Sequence, residues 1–147
     1  MIDDSRISIY DYLYNLFFGV VTENVYSMNE PQELTESDVK DGFLVTHVGN
    51  IVDESEFSLQ ALGRVRCFVE AFIPLISRGR LDVDKYREFE EGITTVVRNA
   101  SEHADENEKY YIVDDEIISM DGAEISNANN AYFTFIKSFV INISDNS

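Results

Sequence analysis

The chain has 147 residues, 44% of them hydrophobic, and its 18 aromatics are 10 Phe and 8 Tyr. That length suits one domain over residues 1–147, and that apolar content excludes a disordered chain. The net charge of −17, from 28 acidic and 11 basic residues, excludes nucleic-acid binding by the average surface, because phosphate contacts need cations.

The longest apolar runs fall far below the roughly 18–20 residues that a membrane helix needs. The start, MIDDSR, is acidic and lacks the basic region of a signal peptide. The single Cys rules out an internal disulfide framework. These features lead us to expect a protein folded in a reducing cytoplasm. The charge is uneven. Six of the 11 basic residues, Arg64, Arg66, Arg78, Arg80, Lys85 and Arg87, fall within one short segment. The flanks are acidic: Glu23–Glu56 holds nine acids against Lys40, and Glu102–Glu124 holds nine against Lys109. Solubility with internal pairing is one explanation. Head-to-tail association of a basic strip with an acidic segment of the next copy is the other.

In chain order, Asp3, Asp4 and Ser5 supply acid and a cap for a first helix. Ile9, Leu13, Leu16/Phe17 and Val20 recur at helical spacing, which predicts a helix from about Ser5 to Phe18. Thr22–Asp41 reads as a long loop with a short strand at Asn24–Met28. Pro31 and the polar run Glu30–Asp41 oppose regular packing there. Gly42–Val48 is a predicted strand, and Gly49–Ser58 an acidic connection. Leu62–Leu75 is the clearest strand. One face carries Val65, Cys67, Val69, Ala71 and Ile73 and is wholly apolar, so a helix can lie against it. The other carries Leu62, Arg64, Arg66, Phe68, Glu70 and Phe72. That mixture suits either a half-solvated sheet surface or a contact face for another subunit, where Arg and aromatics are favoured.

After a turn at Ser77–Leu81, Asp82 caps a predicted helix at Val83–Ala100. Its stripe is Val83, Tyr86, Phe89, Ile93, Val96/Val97 and Ala100, and Asp84, Lys85, Arg87, Glu88, Glu90 and Glu91 are placed toward solvent. Gly92 weakens it by about 1 kcal/mol relative to Ala. Ser101–Glu108 is an acidic loop. Tyr110–Ile118 is a strand containing Asp114, Asp115 and Glu116. Met120–Asn130 carries turn chemistry at Asp121-Gly122 and Asn129-Asn130. Ala131–Ile143 is the last strand, with Phe133, Phe135, Phe139, Ile141 and Ile143 on one face, interrupted by Lys137. The order is helix, strand, strand, helix, strand, strand. It predicts an α+β fold: a four-stranded, mainly antiparallel sheet with two helices packed on it.

No catalytic constellation stands out, and neither a metal site nor a cofactor is expected. Asp114, Asp115 and Glu116 with His103 suggest a metal or paired-carboxylate site, but on a strand Asp115 points away from the other two. Asp121–Asn130 resembles a calcium loop in composition only. His47 has no second metal ligand at strand or helical spacing and reads as structural. Cys67, on the apolar face, is expected to be buried and inert. We therefore expect a protein that is not an enzyme.

From Leu62 onward the pattern resembles the tail-terminator and head–tail joining (neck) proteins of long-tailed bacteriophages, of the lambda tail-terminator type. The strand GRVRCFVEAFIPL leads into the helix DVDKYREFEEGITTVV. The Tyr-rich strand KYYIVDDEI follows, and the alternating strand NAYFTFIKSFVINI closes the chain. The resemblance implies a structural virion protein in the tail or neck, assembled in the host cytoplasm. It implies a homo-oligomeric ring, a hexamer being favoured, that caps the tail tube and joins it to the connector on the portal side. DNA would pass through an acidic lumen without specific binding, and no membrane would be involved. The expected subunit interface is Arg64, Arg66, Phe68, Phe72, Arg78 and Arg80 meeting Asp114, Asp115 and Glu116. An acidic DNA-mimic inhibitor, or another small α+β binding domain, is the alternative.

Overall fold

The structure is a computed structural model that describes residues 4–28, 33–53, 61–76, 80–102, 110–127 and 130–144. Its elements are α1 (Asp4–Phe17), β1 (Val25–Ser27), α2 (Glu36–Asp41), β2 (Phe43–Asp53), β3 (Ala61–Pro74), α3 (Val83–Glu102), β4 (Tyr110–Asn127) and β5 (Asn130–Ser144). The fold is α+β, with one five-stranded mixed sheet in the order β1-β2-β3-β5-β4. β1 pairs parallel to β2, and all other pairings are antiparallel. The expectation of four strands and two helices is thus corrected on two counts: the three-residue strand β1 joins the sheet, and α2 is a third helix. The supposed loop hid α2 because its start signal is compact. Thr35 Oγ1 accepts from the amide of Asp38, and the Asp38 carboxylate accepts from the amide of Thr35. This reciprocal capping box sits in a run whose composition otherwise reads as loop.

Both long helices lie on one face of the sheet. α1 contributes Ile9, Leu13 and Phe17, all fully buried, and α3 contributes Phe89, Ile93, Val96, Val97 and Ala100. They meet the predicted apolar face of β3, from Val65 to Ile73, and the β5 row Phe135, Phe139, Ile141 and Ile143. Cys67 is fully buried within this core, where a thiol is shielded from reagents. Two ends of the predicted stripes fall outside it. Val20 lies beyond the end of α1 and Val83 in the first turn of α3, and both are exposed. Tyr10 ties α1 to the sheet, its hydroxyl accepting from the amide of Val48 at 3.0 Å. Asp82 caps α3 as expected, its carboxylate accepting from the amide of Lys85.

Lys137 breaks the apolar β5 row in sequence, and α3 resolves the conflict. Its Nζ donates to Glu90 Oε1 and to Thr94 Oγ1, each at 2.8 Å, with only 5% of the side chain exposed. Glu90 is therefore only partly turned to solvent, as its charge alone did not suggest. It sits at the sheet-facing margin of α3, because a buried ammonium requires a counter-charge. Gly92 also has a packing role that propensity alone did not show. A Cβ there would lie 3.2 Å from Val21 Cγ2, so its absence lets α3 approach the turn after α1.

The hairpins are longer than expected. β2 continues to Asp53 through a register shift between Val48 and Ile51, and β3 begins at Ala61. β4 runs on to Asn127, so Asp121-Gly122 does not end the strand. The backbone takes up these residues as a register shift between Met120 and Ala123. A two-residue turn signal inside a long hairpin is absorbed as a bulge when strands on both sides keep pairing.

Candidate subunit interface

The sheet face opposite α1 and α3 carries the even-numbered residues of β3 and β5. Arg64, Arg66 and Phe68 are half-buried there. The two guanidinium groups lie across β5. Arg64 Nε donates to Asn142 Oδ1 and Arg66 donates to Ser138 Oγ, both at 3.2 Å. Arg64 is opposite Asn142 in register, and Arg66 reaches diagonally from its partner Val140. Long Arg stems laid flat in this way cover neighbouring side chains while keeping the charged head near water. Ser138 and Val140 beneath them are buried. Phe68 is opposite His47 of β2, so the half-buried patch runs on from the arginines to the β2 side.

Phe72 behaves differently from its expected partners. It is 1% exposed and stacks on Phe43 with ring centroids 4.5 Å apart. Tyr132 meets both rings edge-on, and Val45 completes this second cluster, with Tyr26 and Leu34 packed against it. Phe72 therefore offers no surface to a partner in this conformation, although it shares the face of Arg64, Arg66 and Phe68. Alternation places a side chain on a face but does not say what else covers it.

Arg80 is exposed next to α3, and its carbonyl accepts from the amide of Ile76. Arg78 and His103 lie outside the described residues. Asp114, Asp115 and Glu116 belong to β4, in the stretch where its register against β5 shifts between Val113 and Ile118. Five steps along β4 there match two along β5, from Val140 to Ser138. This acidic bulge therefore sits beside the β5 residues that Arg66 reaches, two strands away, at about 10 Å by strand spacing. The structure thus brings the basic pair and the acidic backbone segment to one region of one sheet. β4 is also the outermost strand on that side. Bulges and acidic residues on an outer strand oppose indiscriminate edge pairing.

Residue reasoning passed over part of this face. Ser138 and Asn142 hold the arginines, and their even-numbered spacing on β5 was readable. A second polar site was also missed. Asp38 is fully buried, and its Oδ2 accepts from the Tyr26 hydroxyl at 2.7 Å and from the amide of Thr35 at 3.0 Å. Burial, together with the hydrogen bond to Asp38 and its charge, pushes the Tyr26 hydroxyl up to about 12. The Thr-x-x-Asp spacing was the available signal. Near α2, a polar cavity of about 290 Å³ is lined by Thr22, Glu23, Asn24, Ser37, Asp41 and Lys85. The Asn24 side-chain amide there is already donated to Ser37 Oγ and to the Gly42 carbonyl. Among the described residues no three His, Cys, Asp or Glu side chains are grouped to hold a metal ion, and no helix is long and apolar enough to cross a membrane. No protein-family model matches the sequence, and no curated protein matches it.

Proposed function

We propose that this protein works by assembly rather than catalysis, as a ring-forming component of the tail or neck of a long-tailed bacteriophage. In this reading it ends growth of the tail tube and joins the tail to the head connector. One observation carries the proposal: α1 and α3 cover the same face of the sheet, and the opposite face presents Arg64, Arg66 and Phe68 half-buried. Arg and aromatic side chains in such a setting suit the core of a protein contact. The acidic bulge of β4 supplies the opposite charge, and a heterologous contact between two such patches closes into a ring when its rotation closes. A strongly negative lumen would repel DNA and let it slide.

The test is co-assembly. The wild-type chain, mixed with tail tubes and neighbouring neck proteins, is expected to form a closed oligomer or to cap the tubes, read by light scattering and electron microscopy. Arg64→Glu with Arg66→Glu is expected to abolish association while leaving the circular dichroism spectrum unchanged. Association that survives the double substitution removes the charge-strip interface. A chain that neither joins tubes nor blocks their growth removes the ring. The net charge of −17 favours a second reading, an inhibitor that mimics DNA. That reading predicts binding to a basic DNA-binding protein in competition with DNA.

A further inference from the structure

β1 and α2 are tied to each other more closely than their separation in sequence suggests. Tyr26 of β1 donates to Asp38 of α2 at 2.7 Å. Asn24, just before β1, donates to Ser37 Oγ of α2 and to the carbonyl of Gly42, each at 3.0 Å. Ser37 in turn donates to Asp41. Strand and helix are thus braced into one small unit.

The backbone hold of this unit on the sheet is short. Among the described residues β1 pairs with Leu44, Val45 and Thr46. The amide of Leu44 donates to the carbonyl of Asn24, and the amide of Met28 donates to that of Thr46. Val25 is its anchor in the main core, with a small side chain. Two features raise the energy of the closed arrangement. Met28, just past β1, has φ of 77°, a left-handed conformation that is uncommon for a bulky residue. Asp38 Oδ1 is buried without a hydrogen-bond partner among the described residues, which carries a desolvation cost. Release that frees Met28 and lets water reach Oδ1 would relieve both. The unit also has something beneath it. Tyr26 meets Phe43 edge-on at 5.8 Å, and Tyr26 and Leu34 pack on the Phe43, Val45, Phe72 and Tyr132 cluster.

We infer that β1 and α2 form a clasp that opens as a unit while the rest of the sheet stays folded, uncovering the outer side of Leu44–Thr46 and the aromatic cluster that includes Phe72. The clasp stands on its own geometry. Its link to assembly, in which opening adds Phe72 and Phe43 to the Arg64 and Arg66 contact face, rests on the function proposed above.

Hydrogen exchange on the full chain, followed by NMR across low urea concentrations, tests the clasp separately from assembly. The amides of Leu44 and Met28 are expected to exchange at least about a hundredfold faster than Val69 and Phe139, with a shallow dependence on urea, as local opening requires. Val25→Ala is expected to speed exchange at Leu44 and Met28 about tenfold, because Val25 packs in the main core only while the unit is closed. Exchange of Leu44 and Met28 at the rate and urea slope of Val69 and Phe139 overturns the clasp, and so does a Val25→Ala variant with unchanged exchange. If the clasp opens but Arg64→Glu with Arg66→Glu leaves association intact, the interface fails and the clasp stands.

Discussion

Lys137 and Glu90 allow a sharp energetic test, because one partner is buried and the other is not. The Lys137 side chain is 5% exposed and that of Glu90 is 36% exposed, with Nζ and Oε1 2.8 Å apart. Glu90→Ala removes the carboxylate beside a buried ammonium. Removing one partner of a fully buried pair costs about 3–5 kcal/mol. Glu90 lies at the margin, where water reaches it, and Thr94 Oγ1 still accepts at 2.8 Å. The cost should therefore fall to about 1.5–3 kcal/mol, the range of one hydrogen bond to a charged group. Lys137→Met removes the charge itself and leaves an apolar side chain of similar length in an apolar row. Glu90 can then turn to solvent, so the change should stay within about 1 kcal/mol of zero. Urea denaturation with linear extrapolation measures both, and the corresponding loss of Tm for Glu90→Ala is about 5–10 °C. Equal destabilisation by the two variants would refute the reasoning, since it would mean that the pair acts through packing rather than through a stranded charge. A Glu90→Ala cost below about 0.5 kcal/mol would mean that solvent already satisfies the ammonium.

Phe72→Ala should destabilise the monomer by about 3–5 kcal/mol, because the ring is enclosed between Phe43 and Tyr132; calorimetry on the isolated chain measures it, and a near-neutral result would place Phe72 outside the core. Arg64→Glu with Arg66→Glu should instead leave the chain folded, which circular dichroism and sizing separate from loss of association. The Tyr26 hydroxyl is raised from 10.0 to about 12, so the folded state holds its proton more tightly than the unfolded state. Its contribution is fully present below pH 10 and is lost as pH rises from about 10 to about 12; ultraviolet titration should show a late-titrating tyrosine that disappears in Tyr26→Phe. Gly42→Ala should cost more than about 1 kcal/mol, because Gly42 has φ of 87° and a Cβ would lie 2.6 Å from the Phe72 carbonyl oxygen; a neutral result in denaturation would show that this strand entry relaxes freely.

Much of the helix-bearing face was legible from local pattern. The alternation from Val65 to Ile73 and from Phe133 to Ile143 placed the sheet core. The spacing of Ile9, Leu13 and Phe17, and of Phe89, Ile93 and Val97, placed the helices. Those periods follow from backbone geometry, which is local. The interface residues were legible only as members of a face. Arg64, Arg66 and Phe72 alternate identically, yet two are half-buried and the third is enclosed by Phe43, Tyr132, Tyr26 and Leu34.

The amino-acid order by itself determined the α+β class, the one-sided apolar strand and the clustering of basic residues between acidic segments, since each depends on neighbours within a few residues. The tertiary structure decided the rest. It chose Glu90 as the counter-charge for Lys137 across 47 positions. It converted Asp121-Gly122 from a turn into an irregularity within β4. It also drew β1 and α2 into a braced unit over the Phe72 cluster. Those outcomes depend on which distant side chains meet, and a buried ammonium, a buried carboxylate and an enclosed ring each acquire their energetic meaning only from the groups that surround them.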